Sequence, residues 1–221
     1  LCNKHDIYLI QDNAQALGAT YDGLPVSNFG DFSCFSFQAI KHLTTGDGGL
    51  LICQGDLDTI YAKRLRWFGI SRFRDLADET GERQYNLWDV GYKYHMNDLS
   101  AALGLGNLDG IKGRLEYIAG IAEYYDDNIP EEYIVKRYKG SSNWLYTILV
   151  DRRDEFIRKM MSKDIPVSVV HVGIDRNKIF GGKRDLPNQC YWDEHHVCIP
   201  CNYGVSGNDA QKVVKAINDG W

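Results

Sequence analysis

Short apolar runs alternate with segments of helical period along this chain, and that alternation predicts an α/β fold. Three strand-like stretches and one helical stretch carry the prediction. Ile7-Tyr8-Leu9-Ile10 is a continuous apolar run of the kind shown by a strand buried on both faces. Phe32 to Phe37 and Gly49 to Cys53 read as two further strands, and Leu57, Ile60, Tyr61, Leu65 and Phe68 then recur at helical spacing. From about Leu115 onward, strands and helices follow in the order of a smaller α+β unit. The chain is accordingly divided into residues 1–114 and 115–221.

Taken in order, Leu1 to Asp6 reads as the end of a helix. A parallel sheet that began at Ile7 would lack neighbours and covering helices. The chain, which opens on Leu1, is therefore expected to be part of a longer protein and to lack that protein's N-terminal portion. Ala14 to Tyr21 carries small residues, and Asp22-Gly23 makes a turn. Asp56 is a candidate helix N-cap and Gly69 a candidate stop. Ser71 to Leu87 is polar, with Arg72, Arg74, Asp75, Asp78, Glu79, Glu82 and Arg83, and is expected to be a long exposed loop. Asn97-Asp98 caps a helix over Leu99 to Leu108, whose Ala101, Ala102, Gly104 and Gly106 permit close packing. A longer amphipathic helix follows, with Ile111, Leu115, Ile118, Ala122 and Tyr125 on one face. After the break at Pro130, Tyr133 to Tyr138, Asn143 to Val150 and Ile165 to Val170 read as strands, and Phe156 to Met161 as a helix. Asp175 to Asn188 is loop-like, and Asp209 starts a last helix with Val213, Val214 and Ile217 apolar.

Bulk properties exclude several classes. A formal net charge of −5 argues against a nucleic-acid polymer as partner, which wants a basic face. No apolar run approaches the ~20 residues of a membrane span, and no signal-peptide pattern opens the chain. The six cysteines are scattered rather than arranged as a disulfide framework, so a reducing, cytoplasmic setting is expected. Cys198-Ile199-Pro200-Cys201 has redox spacing, and His195 and His196 lie nearby. There is no second Cys-x-x-Cys to complete a zinc set, so no metal is expected.

One pair of residues points to chemistry. Asp12 stands at the end of the first strand and Lys41 just past the second. Ligands of open α/β sheets bind outside the carboxyl ends of strands. A lysine amine there can form a Schiff base, and a carboxylate can partner a pyridinium nitrogen. That is the pairing that pyridoxal 5′-phosphate requires. Gly46 to Gly49 is no P-loop, because no Gly-Lys-Ser/Thr ends it; it reads as a turn.

Asp12-Asn13-Ala14-Gln15, then Ser36-Phe37 with Lys41 five residues after the serine, then Gly46-Asp47-Gly48-Gly49 are spaced motifs in order. Gly91-Tyr92-Lys93-Tyr94-His95-Met96-Asn97 adds a later one. In these the chain resembles the DegT/DnrJ/EryC1/StrS sugar aminotransferases. The resemblance implies the C-terminal portion of an aspartate-aminotransferase-like large domain that binds pyridoxal phosphate, followed by a small α+β domain. It implies that Lys41 holds the cofactor covalently and shuttles protons, and that Asp12 pairs with the ring nitrogen. It implies that Gln15 contacts the ring hydroxyl region and that Ser36 hydrogen-bonds the phosphate. The Gly91 to Asn97 segment would reach the cofactor phosphate of a neighbouring subunit, which makes the active form a homodimer. The family usually has asparagine where Lys93 stands and often arginine where His95 stands; Lys93 would meet phosphate as a point charge. His171 and Arg176 lie where the family's C-terminal domain approaches the substrate.

The function so implied is transfer of an amino group, with glutamate as donor, to a nucleotide-activated keto-sugar. A related sugar dehydratase is the first alternative. Those enzymes carry histidine in place of the lysine; here Lys41 is retained, with His42 beside it. The second alternative is a non-catalytic truncated fragment of the aminotransferase.

Overall fold

A computed structural model describes residues 1–71, 77–83, 87 and 89–221. Part of the polar loop expected over Ser71 to Leu87, including Arg72, Arg74 and Asp75, lies outside the described residues. The chain divides into two compact units, Leu1–Ile111 and Lys112–Trp221.

The first unit opens on a single helical turn, α1 (Cys2–His5), which Asp6 ends in the left-handed region. Its centre is a three-stranded sheet in the order β1 (Ile10–Asp12), β4 (Phe32–Ser36), β5 (Gly49–Cys53). A two-residue hairpin, β2 (Thr20–Tyr21) with β3 (Leu24–Pro25), lies between β1 and β4 in the chain. β1 pairs with β4 in parallel, Asp12 opposite Cys34. β4 pairs with β5 antiparallel, Ser36 opposite Gly49. The sheet is thus mixed rather than all-parallel. The chain reverses between residues 37 and 48 instead of crossing over through a helix, and reversal by a loop yields antiparallel neighbours.

The first strand also falls later than the apolar run predicts. Ile7, Tyr8 and Ile10 are 59%, 72% and 67% exposed. β1 is an edge strand here, and its ladder runs only where Ile10, Gln11 and Asp12 face Phe32, Ser33 and Cys34.

Helix α2 (Asp56–Leu65) follows β5, starting from Gly55 as N-cap, with acids in its first turn and Lys63 and Arg64 in its last, as the helix dipole favours. Gly69, at φ +75°, turns its N–H back onto the carbonyl of Arg64 and ends the coil there. Residues 91–95 then return along this end of α2: Phe68 N–H donates to Tyr92 O, Tyr92 N–H to Leu65 O, and Tyr94 N–H to Arg66 O. Helix α3 (Asp98–Leu108) is capped by Asn97, whose side chain accepts from Ser100 N–H at 2.9 Å. Among the described residues of this unit, Ala19 and Leu43 are the buried apolar side chains.

The second unit holds the large core. Helix α4 (Ile111–Asn128) buries Ile118, Ile121, Ala122 and Tyr125, three of which belong to the face expected from the sequence. They meet β6 (Tyr146–Leu149), α5 (Arg153–Ser162), β7 (His196–Ile199) and α7 (Gly207–Asn218) in one cluster that includes Tyr146, Phe156, Met160 and Ile217. β6 and β7 pair antiparallel. The phenol hydroxyls of the buried aromatics are satisfied: Tyr125 donates to Pro200 O and Tyr146 to Asp126. The cap of α7 is Ser206, in a capping box with Asp209, three residues ahead of the expected start.

Two expected strands of this unit are not strands. Glu131–Tyr133 is a 3-10 turn, and Ile134 makes only an isolated bridge to Ile148. Arg137, in the middle of the expected run, bonds Asp126 and Asn143 with its guanidinium and lies over the Tyr146 ring. Its side chain is thereby the anchor of that segment in place of a backbone ladder. Ile165 to Val170 likewise makes a single bridge, Ser168 to Cys198. Helix α6 (Pro187–His195) begins inside the stretch that reads as a loop; Pro187 at its first position starts it.

Candidate active site

Strand register settles which side chains share a face. Residues paired across a ladder point to the same side, and residues two apart along a strand do too. Asp12 is opposite Cys34, and Ser36 is two residues beyond Cys34. Asp12 and Ser36 therefore stand on one face of the sheet, both at the C-terminal ends of their strands. Asp12 Oδ1 accepts from Ala14 N–H at 3.1 Å, which leaves its second oxygen for another donor. Ser36 Oγ accepts from Gln38 N–H at 3.3 Å, so its own O–H remains able to donate. Gly49 lies across from Ser36, where an added Cβ would come within 2.8 Å of the Phe35 carbonyl. That position carries no side chain to cover the face.

Lys41 is half-buried in the turn after β4. Its N–H donates to Gln38 O at 2.9 Å, while Gln38 Oε1 accepts from Ile40 N–H. The turn is held from both sides. Thr45 N–H donates to Phe37 O, Phe37 N–H to Gly48 O, and Thr44 Oγ1 accepts from Gly46 N–H at 2.9 Å. From α3, Asn107 donates its side-chain amide to Thr44 O at 2.9 Å. Gly104 brings α3 so near that a Cβ there would lie 2.8 Å from Thr45 Cγ2. His42 sits next to Lys41 with its pKa below the usual 6.5; burial is the larger cause and the Lys41 ammonium the smaller. Gln15 is exposed on the segment after β1.

Lys93 is exposed on the returning segment, bridged through its backbone to Trp67. The rings of Tyr92 and Tyr94 stack beside it with centroids 4.9 Å apart. In the second unit, His171 holds a left-handed backbone at φ +62°, with its ring 6.1 Å from that of Trp144. Arg176 pairs with buried Asp193 at 2.8 Å. Asp193 also accepts from Gly173 N–H and from Gln189 Nε2. Burial alone would raise this carboxyl; the donors from Gln189, Gly173 and Arg176 outweigh it and hold the pKa below 3.8.

The structure thus brings Asp12, Ser36 and the Lys41 turn into one unit, and carries His171 and Arg176 in the other. Sequence reading passes over Asn107 and Asp193. The partner of Asn107 lies 63 residues away, and although Gln189 is one helical turn from Asp193, the Gly173 N–H and the Arg176 guanidinium that Asp193 holds are 20 and 17 residues away. Cys198 and Cys201 are buried thiols whose pKa values burial pushes up, that of Cys201 to about 12. A thiol so raised is a poor nucleophile or redox group. Among the described residues no cluster of three or more His, Cys, Asp or Glu could hold a metal, and no helix is long and apolar enough to cross a membrane.

With this geometry in view, the profile of the DegT/DnrJ/EryC1/StrS aminotransferase family matches residues 1–218. The chain belongs to that family. Its relatives include the UDP-4-amino-4,6-dideoxy-N-acetyl-beta-L-altrosamine transaminase of Campylobacter jejuni, 29% identical over 96% of this chain and 58% of that protein. Among solved structures, AtS13 from Actinomadura melliaura matches with a TM-score of 0.87 at 34% identity, over 97% of this chain and 58% of that one. The sugar aminotransferase CalS13 from Micromonospora echinospora matches with a TM-score of 0.87 at 29% identity, over 100% of this chain and 61% of that one. This DegT/DnrJ/EryC1/StrS chain therefore has the α/β fold of those enzymes and spans about three fifths of the length of the relatives it matches.

Proposed function

We propose that this chain carries the catalytic lysine of a pyridoxal 5′-phosphate-dependent aminotransferase that moves an amino group from glutamate to a nucleotide-activated keto-sugar. The observation that supports it most is the register that sets Asp12 and Ser36 on one face at the strand ends, with Lys41 in the next turn. A carboxylate, a hydroxyl with its proton to give, an amide and an amine are the donor set this cofactor needs, and Gly49 leaves the face beside Ser36 uncovered. When bound, the cofactor supplies the electron sink through which an amine leaves one carbon and joins another.

The residues divide the work by their chemistry. Asp12 keeps a proton on the ring nitrogen. Ser36 donates to the phosphate and Gln15 orients the ring hydroxyl. Lys41 Nζ would hold the cofactor and, once displaced by an incoming amine, would take a proton from, or return one to, the carbon that bears that amine. Burial, and to a smaller extent the Lys41 ammonium, lowers the pKa of His42, which disfavours a second positive charge next to that amine. Lys93 reaches the phosphate in a neighbouring copy, and His171 and Arg176 contact the substrate. The names of the C. jejuni transaminase and of CalS13 support a sugar as the amino acceptor.

The test is addition of pyridoxal phosphate to the purified chain, with Lys41→Ala in parallel. A visible absorbance band, absent in the variant, and borohydride fixation mapped by peptide mass to Lys41 are expected. Fixation at other lysines, or an equal band in Lys41→Ala, would overturn the assignment.

A further inference from the structure

Ahead of α6 the second unit makes two single 3-10 turns, Ile174–Arg176 and Lys178–Phe180. The base of this loop is fixed. Buried Asp193 holds both Gly173 N–H and the Arg176 guanidinium. Arg184 N–H donates to Asp175 Oδ2 at 2.8 Å and closes the loop on itself. The far end is bare. A 3-10 helix has three residues per turn, so the side chains of one turn leave in three directions, and a turn lying flat on a protein buries one of them. Lys178, Ile179 and Phe180 are all exposed, Ile179 at 86% and Phe180 at 52%. Gly181 and Gly182 follow at φ +87° and +90°, and a Cβ added to either would meet nothing within 4 Å. The second turn therefore stands out from the surface as a tip.

Charge marks the same place. Residues 174–185 hold Arg176, Lys178, Lys183 and Arg184 against Asp175 and Asp185, in a chain whose formal net charge is −5. Arg176 is engaged by Asp193, and Asp175 by Arg184 N–H. Lys178, Lys183 and Arg184 are left exposed around the tip. A protein partner would need a hollow matched to two bulky apolar side chains on a convex tip; the soft headgroup layer of a bilayer takes them without one. Apolar and aromatic side chains flanked by Lys and Arg are the means by which proteins lie on anionic membranes. We infer that this tip docks the second unit on an anionic lipid surface, with Ile179 and Phe180 entering the interface and Lys178, Lys183 and Arg184 meeting headgroup phosphates. The acidic remainder of the chain is repelled by the same surface, which orients the tip towards it. The inference stands on this loop and does not need Lys41 to be catalytic.

Sedimentation of the purified chain with vesicles of phosphatidylcholine mixed with phosphatidylglycerol tests it, with vesicles of phosphatidylcholine alone as the uncharged surface. Saturable binding to the mixed vesicles, weakened by salt and slight on the uncharged ones, is expected. Lys178→Gln with Lys183→Gln is expected to weaken it roughly tenfold or more, since each cation near such a surface contributes about fivefold. Ile179→Ser with Phe180→Ser is expected to weaken it at high and low salt alike, because that part of the contact is not screened. Phe180→Trp, which keeps a ring, is expected to retain the affinity. Lys136→Gln with Lys139→Gln, which removes exposed cations elsewhere in the same unit, is expected to leave binding unchanged, as is Lys41→Ala. Circular dichroism establishes that each variant is folded. Binding untouched by the Ile179 and Phe180 substitutions, or an equal loss from the Lys136 and Lys139 pair, would overturn the inference. Absence of binding to the mixed vesicles would overturn it too, and would leave an acidic protein as the occupant of the tip.

Discussion

Replacing Gly91 by alanine tests how the segment that carries Lys93 is held. A Cβ on Gly91 would fall on the backbone of Phe68 and Gly69, coming within 2.8 Å of Gly69 Cα. Carbon contacts settle near ~3.5 Å, so relief takes a shift of roughly 1 Å between two stretches of main chain, neither with a side chain to swing aside. The segment is joined to the end of α2 by three backbone hydrogen bonds, of 3.0 Å (Phe68 to Tyr92), 2.6 Å (Tyr92 to Leu65) and 2.9 Å (Tyr94 to Arg66). Lengthened by that shift they pass the ~3.5 Å beyond which such a bond is lost. At about 0.5–1.5 kcal/mol each, their loss costs about 2–4 kcal/mol locally. Amide hydrogen exchange by NMR reads this directly. Tyr92, Tyr94 and Phe68 amides should exchange roughly 30- to 1000-fold faster in Gly91→Ala, at a factor of ten per ~1.4 kcal/mol. Amides in α7 should be unchanged. Unaltered protection at Tyr92 and Tyr94 would refute the argument, because it would mean that the backbone yields without breaking the ladder.

The opposite outcome is expected where a glycine has open space. Gly113 and Gly120 lie inside α4 with nothing within 4 Å of an added Cβ, so alanine at either should stabilise by about 0.5–1 kcal/mol in urea denaturation. The lowered pKa of His42 makes the fold acid-sensitive: unfolding lets this imidazole take up a proton at its ordinary value of 6.5, while the folded chain resists protonation. Stability should hold above pH 6.5 and fall as pH drops below it towards the folded value, and His42→Gln should flatten that part of a melting-temperature profile. Iodoacetamide at pH 8, followed by peptide mass, should label exposed Cys34 well before Cys198 and Cys201, which are buried and raised in pKa. Early labelling of Cys201 in native protein would contradict its place in the core.

The α/β class and several boundaries are plain from the residues, because each rests on local chemistry. Gly69 ends its helix through the positive φ that only glycine adopts at no cost, and Asn97 caps α3 through its own side-chain oxygen. The apolar face of α4 is legible because its period is that of the helix itself. The motif residues Asp12, Ser36 and Lys41 could be picked out by spacing, and strand alternation would then assign a common face to the first two only if the register were known.

What tertiary structure decided is where the chain departs from such local rules. The direction of β5 depends on the route taken between Phe37 and Gly48, which no residue in either strand encodes. The run around Arg137 has the composition of a strand, yet its guanidinium finds Asp126 and Asn143, and a side-chain anchor replaces a ladder. The clamp of Asn107 and Gly104 on the Lys41 turn, and the hold of Asp193 on Gly173 and Arg176, join residues far apart in sequence. Periodicity, caps and turns are properties of a few consecutive residues and can be read from them. A hydrogen bond between distant residues depends on the path of all the chain between, and only the folded molecule fixes that path.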